Sequence, residues 1–357
     1  MGSYKRDYID VDSINALRDD CYYVTDDNVL SASHPAINVE MCKKILVFLN
    51  GLSKYKKPPL LEADAKNKFD IYPLTAVGKK LKELSLLAVE LTEARKHYKL
   101  HPKIELFYQF IIKTEVYMML QSNRALLYSY WSDFYSKLKS ESTIIAVLNF
   151  TKGPEKNYRS LCDYVSSLFN TYARLLVLRI DLSYKSEDGK LISLEEVVAH
   201  RNALLNNARK DSLAKSWVGY AWRLEFAPKT GYHYHLVVFL DGSKYKSEYT
   251  HSENIRQEWK KITEGKGRAY LCNLKTQQYR FIGIGMVDYH DVSKRGYLIK
   301  ALAYLTKADK IAKLTLKHHR AFGKSCVKKN KTKMGRKRSK FDKFWDDIVT
   351  FNHHSPL

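Results

Sequence analysis

The sequence predicts an α+β protein: a mainly helical N-terminal region over residues 1–165, then a mainly antiparallel sheet flanked by helices. Three observations carry this. Up to about residue 165 the apolar residues recur at helical spacing. Beyond Ala173 strand-like and helix-like stretches follow in the order β-α-β-β-α-β-β-α, which suits one antiparallel sheet. The chain is 45% hydrophobic and carries 26 Tyr and 14 Phe, enough for a sizeable core and too apolar for a disordered chain.

In the N-terminal region, "NVEMCKKILVFLNGL" puts Met41, Ile45, Leu46 and Leu49 on one helical face. Lys79–His97, Ile104–Gln121 and Ala125–Ser140 are further candidate helices, and Pro58 and Pro59 break the pattern after the first. "ALLYSYWSDFY" reads as a buried helix face rather than a base-stacking surface. The second region, 172–325, opens with the strand "ARLLVLRIDLSYK". Leu176, Leu178, Ile180 and Leu182 share one face of it, and Arg179 and Asp181 point the other way. A helix over Leu194–Lys210 follows, then the hairpin "SWVGYAWRLEFAPKTGYHYHLVVFLDG" and a helix near Glu253–Ile262. "GKGRAYLCN" and "YRFIGIGMVDYH" read as two further strands, and "YLIKALAYLTKADK" as a helix from about Gly296 to Asp309. A basic tail, 326–357, closes the chain, with nine Lys/Arg and one Asp between Val327 and Lys343. Lys328 and Lys329 begin this run, which is either a solvated end or a non-specific nucleic-acid arm.

Charge is the loudest global feature. Lys+Arg 61 against Asp+Glu 38 gives +23, the balance of a protein that meets a polyanion. No 18-residue apolar run, signal peptide or lipidation motif is found, so no membrane partner is expected. The five cysteines are scattered and form no C-x-x-C pair. That fits a reducing cytoplasm and argues against a zinc module or a disulfide framework.

Two histidines one residue apart, His233 and His235, raise the question of a metal. With 12 histidines in 357 positions, chance alone supplies roughly 0.4 of such a pair, so the neighbours must decide. With Pro228-Lys229-Thr230 as the turn and Gly231 relaxing it, Phe226 opposes Tyr232, Leu224 opposes Tyr234 and Trp222 opposes Leu236. That face goes to the core. The other face then sets Glu225 across from His233, with His235 diagonal to both and near Arg223. Directly opposed Cβ atoms lie about 4.5–5.5 Å apart, so two imidazoles and a carboxylate can converge on one ion. Such a set suits Mg²⁺ or Mn²⁺, and also takes zinc. In an ordinary sheet the same residues make a histidine–carboxylate pair. Arg179 and Arg223, on the polar face, are candidates to hold phosphates, and Asp181 is an alternative third ligand.

The last predicted helix has an apolar stripe of Leu298, Leu302 and Leu305. Tyr297, Lys300, Tyr304 and Lys307 share another face. A phenol among lysines ionises more readily, because nearby positive charge favours the anion. That makes Tyr304 a candidate nucleophile, with Tyr297 the alternative and Lys300 a candidate phosphate contact.

The His-hydrophobe-His strand, the acid on the strand before it and the Tyr-x-x-Lys helix resemble HUH endonucleases, which start rolling-circle replication, plasmid transfer and some transposition. More narrowly, "ARLLVLRIDLSY", "EFAPKTGYHYHLVVFLDGS", "GKGRAYLCN", "GIGMVDY", "LIKALAYLTKAD" and "RAFGKS" look like the inovirus gene-two-type replication proteins, a family that overlaps the YagK/YfjJ-type domain of phages and prophages. The resemblance covers about Tyr172 to Ser325. It implies an HUH-type core with a five-stranded antiparallel sheet and a single-tyrosine nicking enzyme acting on single-stranded origin DNA in a bacterial cytoplasm. A host helicase and polymerase would be its further partners. It makes His233, His235 and Glu225 ligands of Mg²⁺ or Mn²⁺, Tyr304 the nucleophile that forms a 5′-phosphotyrosine, and Lys307 its charged companion. Two departures stand out. Tyr234 lies between the histidines where the family has an aliphatic residue, and no second tyrosine stands at the four-residue spacing of two-tyrosine replication proteins. A non-catalytic DNA-binding prophage regulator on the same scaffold is the alternative from another class. An HUH transposase or relaxase would share the chemistry.

Overall fold

The computed structural model describes residues 22–24, 30–32, 39–54, 58–61, 73–86, 88–115, 123–189, 191–210, 216–227, 230–278, 282–316 and 318–326. They divide into two compact units. One contains 34–154 and 308–315; the other contains 1–33, 155–307 and 316–357.

In the second unit, β1 (Tyr22–Val24) and β2 (Leu30–Ala32) pair as a separate antiparallel ribbon. The first unit is helical, as its periodicity predicts. It holds α1 (Val39–Lys54), α2 (Ala76–Ser85), α3 (Ala88–Arg95), α4 (Pro102–Thr114) and α5 (Arg124–Lys139). The expected Lys79–His97 helix is thus two helices. α4 starts two residues early because His101 caps it, its Nδ1 accepting from the Lys103 amide, 3.2 Å. It ends at Thr114, where Glu115 turns left-handed with φ 41°. Phe107, Phe110, Trp131 and Phe134 form the aromatic core between α4 and α5. A short strand pair, β3 (Tyr98–Leu100) with the later β9 (Ala312–Leu314), belongs to the same unit.

The 31-residue helix α6 (Glu141–Thr171) lies mostly in the stretch expected to be helical, but none of the candidate helices named there marks it. Gly153-Pro154 argues for a break, since Pro154 has no amide for the helix ladder. The helix runs on regardless, and the two units divide at this proline.

The second unit is built on β4 (Arg174–Tyr184), α7 (Leu194–Lys210), β5 (Trp217–Ala227), β6 (Gly231–Asp241), α8 (Glu248–Ile262), β7 (Gly267–Leu271), β8 (Gly285–Asp288), α9 (Val292–Lys307) and β10 (Phe322–Lys324). All its sheet pairings are antiparallel, in the order β10-β5-β6-β4-β7, with β8 also on β4. The sheet therefore has six strands, not the five expected. The sixth is β10, three residues pairing Phe322 with Arg223 at the edge, too short for an alternation to show.

β7 and β8 share one edge of β4, the first against Ile180–Tyr184 and the second against Arg174–Val177. The gap between them is filled by a side chain. The Asn273 amide accepts from the Arg179 backbone N–H at 2.8 Å and donates to the Val177 carbonyl at 2.9 Å, replacing a missing strand residue.

Helices cover both sheet faces. Against one face lie α7 and α8. Arg201 stands 4.1 Å over the Trp222 ring, and the Trp259 indole donates to the Ser183 carbonyl. The other face carries Leu175, Val177, Ala221, Val237 and Phe239, buried with Leu161, Val165 and Leu168 of α6 and Leu298, Leu302 and Leu305 of α9. Further along this face the sheet turns from apolar to charged.

Candidate metal centre and tyrosine

The hairpin sets the site. β5 and β6 pair Phe226 with Tyr232, Glu225 with His233, Leu224 with Tyr234, Arg223 with His235 and Trp222 with Leu236. This is the register the apolar alternation predicts. β4 adds Asp181 opposite His235. The turn residues Pro228 and Lys229 lie outside the described residues. Gly231, which begins β6, has φ +74°, and a Cβ there would stand 1.9 Å from the Gly189 carbonyl oxygen. Both facts reserve the position for glycine.

Glu225, His233 and His235 each offer a ligand atom within 4.8 Å of the others. The meeting point is Glu225 Oε2, 3.6 Å from His233 Nε2 and 3.3 Å from His235 Nε2. Its other oxygen, Oε1, accepts from Arg223 Nε at 2.6 Å. On the far side of the His235 ring, Nδ1 lies 2.7 Å from Asp181 Oδ1. Arg179 Nε stands 3.6 Å from the same oxygen. All these residues are buried, none more than 5% exposed.

Burial of so many charges requires pairing. Desolvation alone would raise the Glu225 carboxyl, but His235 and Arg223 outweigh it and hold it well below the usual carboxylate range. Desolvation opposes ionisation of Asp181 too, and His235 and Arg179 bring it down to about 2. Burial works against a charged His235, yet Asp181 and then Glu225 raise it to about 9. With both ring nitrogens facing carboxylates, imidazolium is the form that donates twice.

The donor set fits a divalent ion on one further observation. His233 Nε2 is buried and makes no hydrogen bond. An orphaned buried polar atom costs about 1–3 kcal/mol, which an ion shared with Glu225 and His235 would relieve. Asp181 fits the same picture from behind, since a ligating imidazole commonly donates its other N–H to a carboxylate. It is therefore placed to orient His235, and lies outside the group of three whose ligand atoms converge.

Tyr304 reaches this point from α9. Its hydroxyl donates to Glu225 Oε2 at 3.1 Å, its ring meets His235 edge-on at 5.0 Å, and the Arg179 guanidinium lies 5.3 Å from its centre. Tyr297 sits seven residues earlier, two helical turns or roughly 10 Å along the axis. It and Lys300 are half-buried. Lys307 ends α9, and its side chain lies outside the described residues, as do Lys328 and Lys329. Arg179 and Arg223 are not open to flanking phosphates: they are 5% and 2% exposed and point at Asp181 and Glu225. The pattern Arg-x-acid, "RID" and "RLE", already places each arginine on the face of its carboxylate.

The YagK/YfjJ C-terminal domain family matches residues 139–325, just over half of the chain. The chain belongs to this family. The YagK/YfjJ match takes in the whole site, from Arg179 to Leu305, and ends one residue past β10. No curated protein and no solved structure matches the chain. Among the described residues of this YagK/YfjJ protein, no helix is long and apolar enough to cross a membrane.

Proposed function

We propose that this protein is a metal-dependent, single-tyrosine endonuclease of HUH type that nicks and rejoins single-stranded DNA, and that rolling-circle initiation is its setting. The observation that carries the reading is the 3.1 Å bond from the Tyr304 hydroxyl to Glu225 Oε2, which puts a phenol on the oxygen that both histidines approach. Glu225, His233 and His235 would hold the ion, Mg²⁺ or Mn²⁺. When bound, it polarises the scissile phosphate as a Lewis acid.

The remaining work falls to the chain. Tyr304 attacks phosphorus in line; its oxygen gains the P–O bond and the 3′-oxygen of the preceding nucleotide leaves. The phenolic proton leaves to solvent as the bond forms, and the 3′-oxygen takes up a proton, so charge balances. The product is a 5′-phosphotyrosine and a free 3′-OH, which a polymerase extends. A later 3′-OH reverses the step and closes a circle. The net charge of +23 favours the polyanion.

Incubation with a labelled single-stranded origin oligonucleotide and Mn²⁺ should give a covalent protein–DNA band. Tyr304→Phe should abolish it, and chelation should suppress it. Normal labelling of Tyr304→Phe with loss in Tyr297→Phe would move the nucleophile.

The burial of every site residue favours one other reading. His235 charged between Asp181 and Glu225 makes a closed ion network that needs no metal. A DNA-binding regulator would keep such a network for stability alone. Gel-shift activity without an adduct, and no metal retained on dialysis against Mn²⁺, would select it.

A further inference from the structure

Arg223 touches two things at once. Its Nε donates to Glu225 Oε1 at 2.6 Å, and its Nη1 donates to the Leu305 carbonyl at 3.2 Å. Leu305 follows Tyr304 in α9, two residues before that helix ends. Carbonyls in a last helical turn lack intrahelical partners, and a cation there also suits the helix dipole. The chain of contacts closes on itself: Glu225 Oε1 to Arg223, Arg223 to the Leu305 carbonyl, Leu305 to its neighbour Tyr304, and the Tyr304 hydroxyl back to Glu225 Oε2. Arg223 is 2% exposed, so neither bond is shared with bulk water.

We infer that Arg223 is a positioning residue that sets the tyrosine helix in register with the ligand carboxylate. It holds the end of α9 and the back oxygen of Glu225 in one rigid fork, so that the phenol and the metal-facing oxygen keep a fixed separation. The inference rests on the nicking reading for its kinetic consequence, but not for the tie itself. Lysine at this position keeps the charge and loses the planar fork, so it cannot hold both acceptors in one plane.

The test is Arg223→Lys in the full chain. Its rate of adduct formation at saturating oligonucleotide should fall about 100-fold, the scale set by a small misalignment of reacting groups. The oligonucleotide KM and the Mn²⁺ affinity, read by electron paramagnetic resonance, should stay within about threefold of wild type. Amide exchange should quicken in the last turn of α9 while the sheet amides stay protected. Wild-type rate and exchange in Arg223→Lys overturn the inference. So does a loss of Mn²⁺ affinity as large as the loss of rate, because Arg223 would then act on Glu225 alone. If the lysine variant melts globally, Arg223→Gln is read by exchange in the same turn. If wild type itself forms no adduct, the nicking reading fails, and the exchange result alone decides whether the tie exists.

Discussion

At the scale of single residues, the site is a competition for one oxygen. Glu225 Oε2 faces the Tyr304 hydroxyl at 3.1 Å, His235 Nε2 at 3.3 Å and His233 Nε2 at 3.6 Å. An ion binding there contends with the phenol's hydrogen bond. Tyr304→Phe should therefore bind Mn²⁺ at least as tightly as wild type while making no adduct; a weaker Mn²⁺ isotherm would show that the tyrosine supports the metal site rather than reacting beside it. Asp181 acts one step further back. Its Oδ1 fixes the His235 ring through Nδ1, and its Oδ2 makes no hydrogen bond. Asp181→Asn keeps the shape and removes the charge that favours donation from His235, so Mn²⁺ affinity should fall about 10- to 100-fold by titration calorimetry. An unchanged affinity would mean that the imidazole needs no anchor.

At the scale of elements, the hairpin was legible because each strand alternates and the turn is short. Fixing one pair, Glu225 with His233, fixes the whole register, since a one-residue slip would drive Tyr234 and Leu236 off the core face. What stayed hidden lacks a pattern. β10 has three residues, α6 runs through Gly153-Pro154, and α4 is capped by a histidine, none of which periodicity can show. The six-strand count was missed because β10 pairs with β5 from a distant segment, and the inward turn of Arg179 and Arg223 was missed because the local Arg-x-acid pattern shows the pairing but not the cover that buries it. Asn273 is another contact from a distant segment, and its loss should be measurable. Asn273→Ala removes its bonds to the buried Arg179 amide and Val177 carbonyl and should lower unfolding free energy in urea by about 1–3 kcal/mol. The cap of α4 predicts a pH effect. Burial, then the Lys103 charge, lowers His101 to about 3. Unfolded, it titrates near 6.5. Above that value neither state is protonated; below it the unfolded chain gains a proton that the folded one refuses until about pH 3. Stability should thus fall as pH drops from about 6.5 towards 3, by roughly 4 kcal/mol in all from this group. His101→Asn keeps a cap without the titration, so its melting temperature should decline less between pH 7 and 4.5 than that of wild type; parallel declines would remove His101 as the cause.

At the scale of the whole molecule, charge and site are separate instruments. The site is nearly balanced, with Arg179 against Asp181, Arg223 against Glu225 and only His235 in excess, so it adds little to long-range attraction. The +23 must then act elsewhere on the chain, and the densest run is Val327–Lys343, with nine Lys/Arg and one Asp. That run lies outside the described residues, but its effect on binding follows from counterion release alone. On single strands, log affinity falls with log salt at about 0.7 per phosphate neutralised. If three or more of the nine cations in the tail reach phosphates, deleting 327–357 should flatten the slope by about 2. Raising salt from 50 to 200 mM would then weaken the truncated protein about 15-fold less than the full chain. Adduct formation at saturating oligonucleotide should be unaffected, because Tyr304, Glu225 and both histidines remain. An unchanged slope would assign the polyanion affinity to the cations of residues 1–326. A loss of adduct at saturation would instead show that the tail takes part in the reacting geometry and not only in capture of the strand.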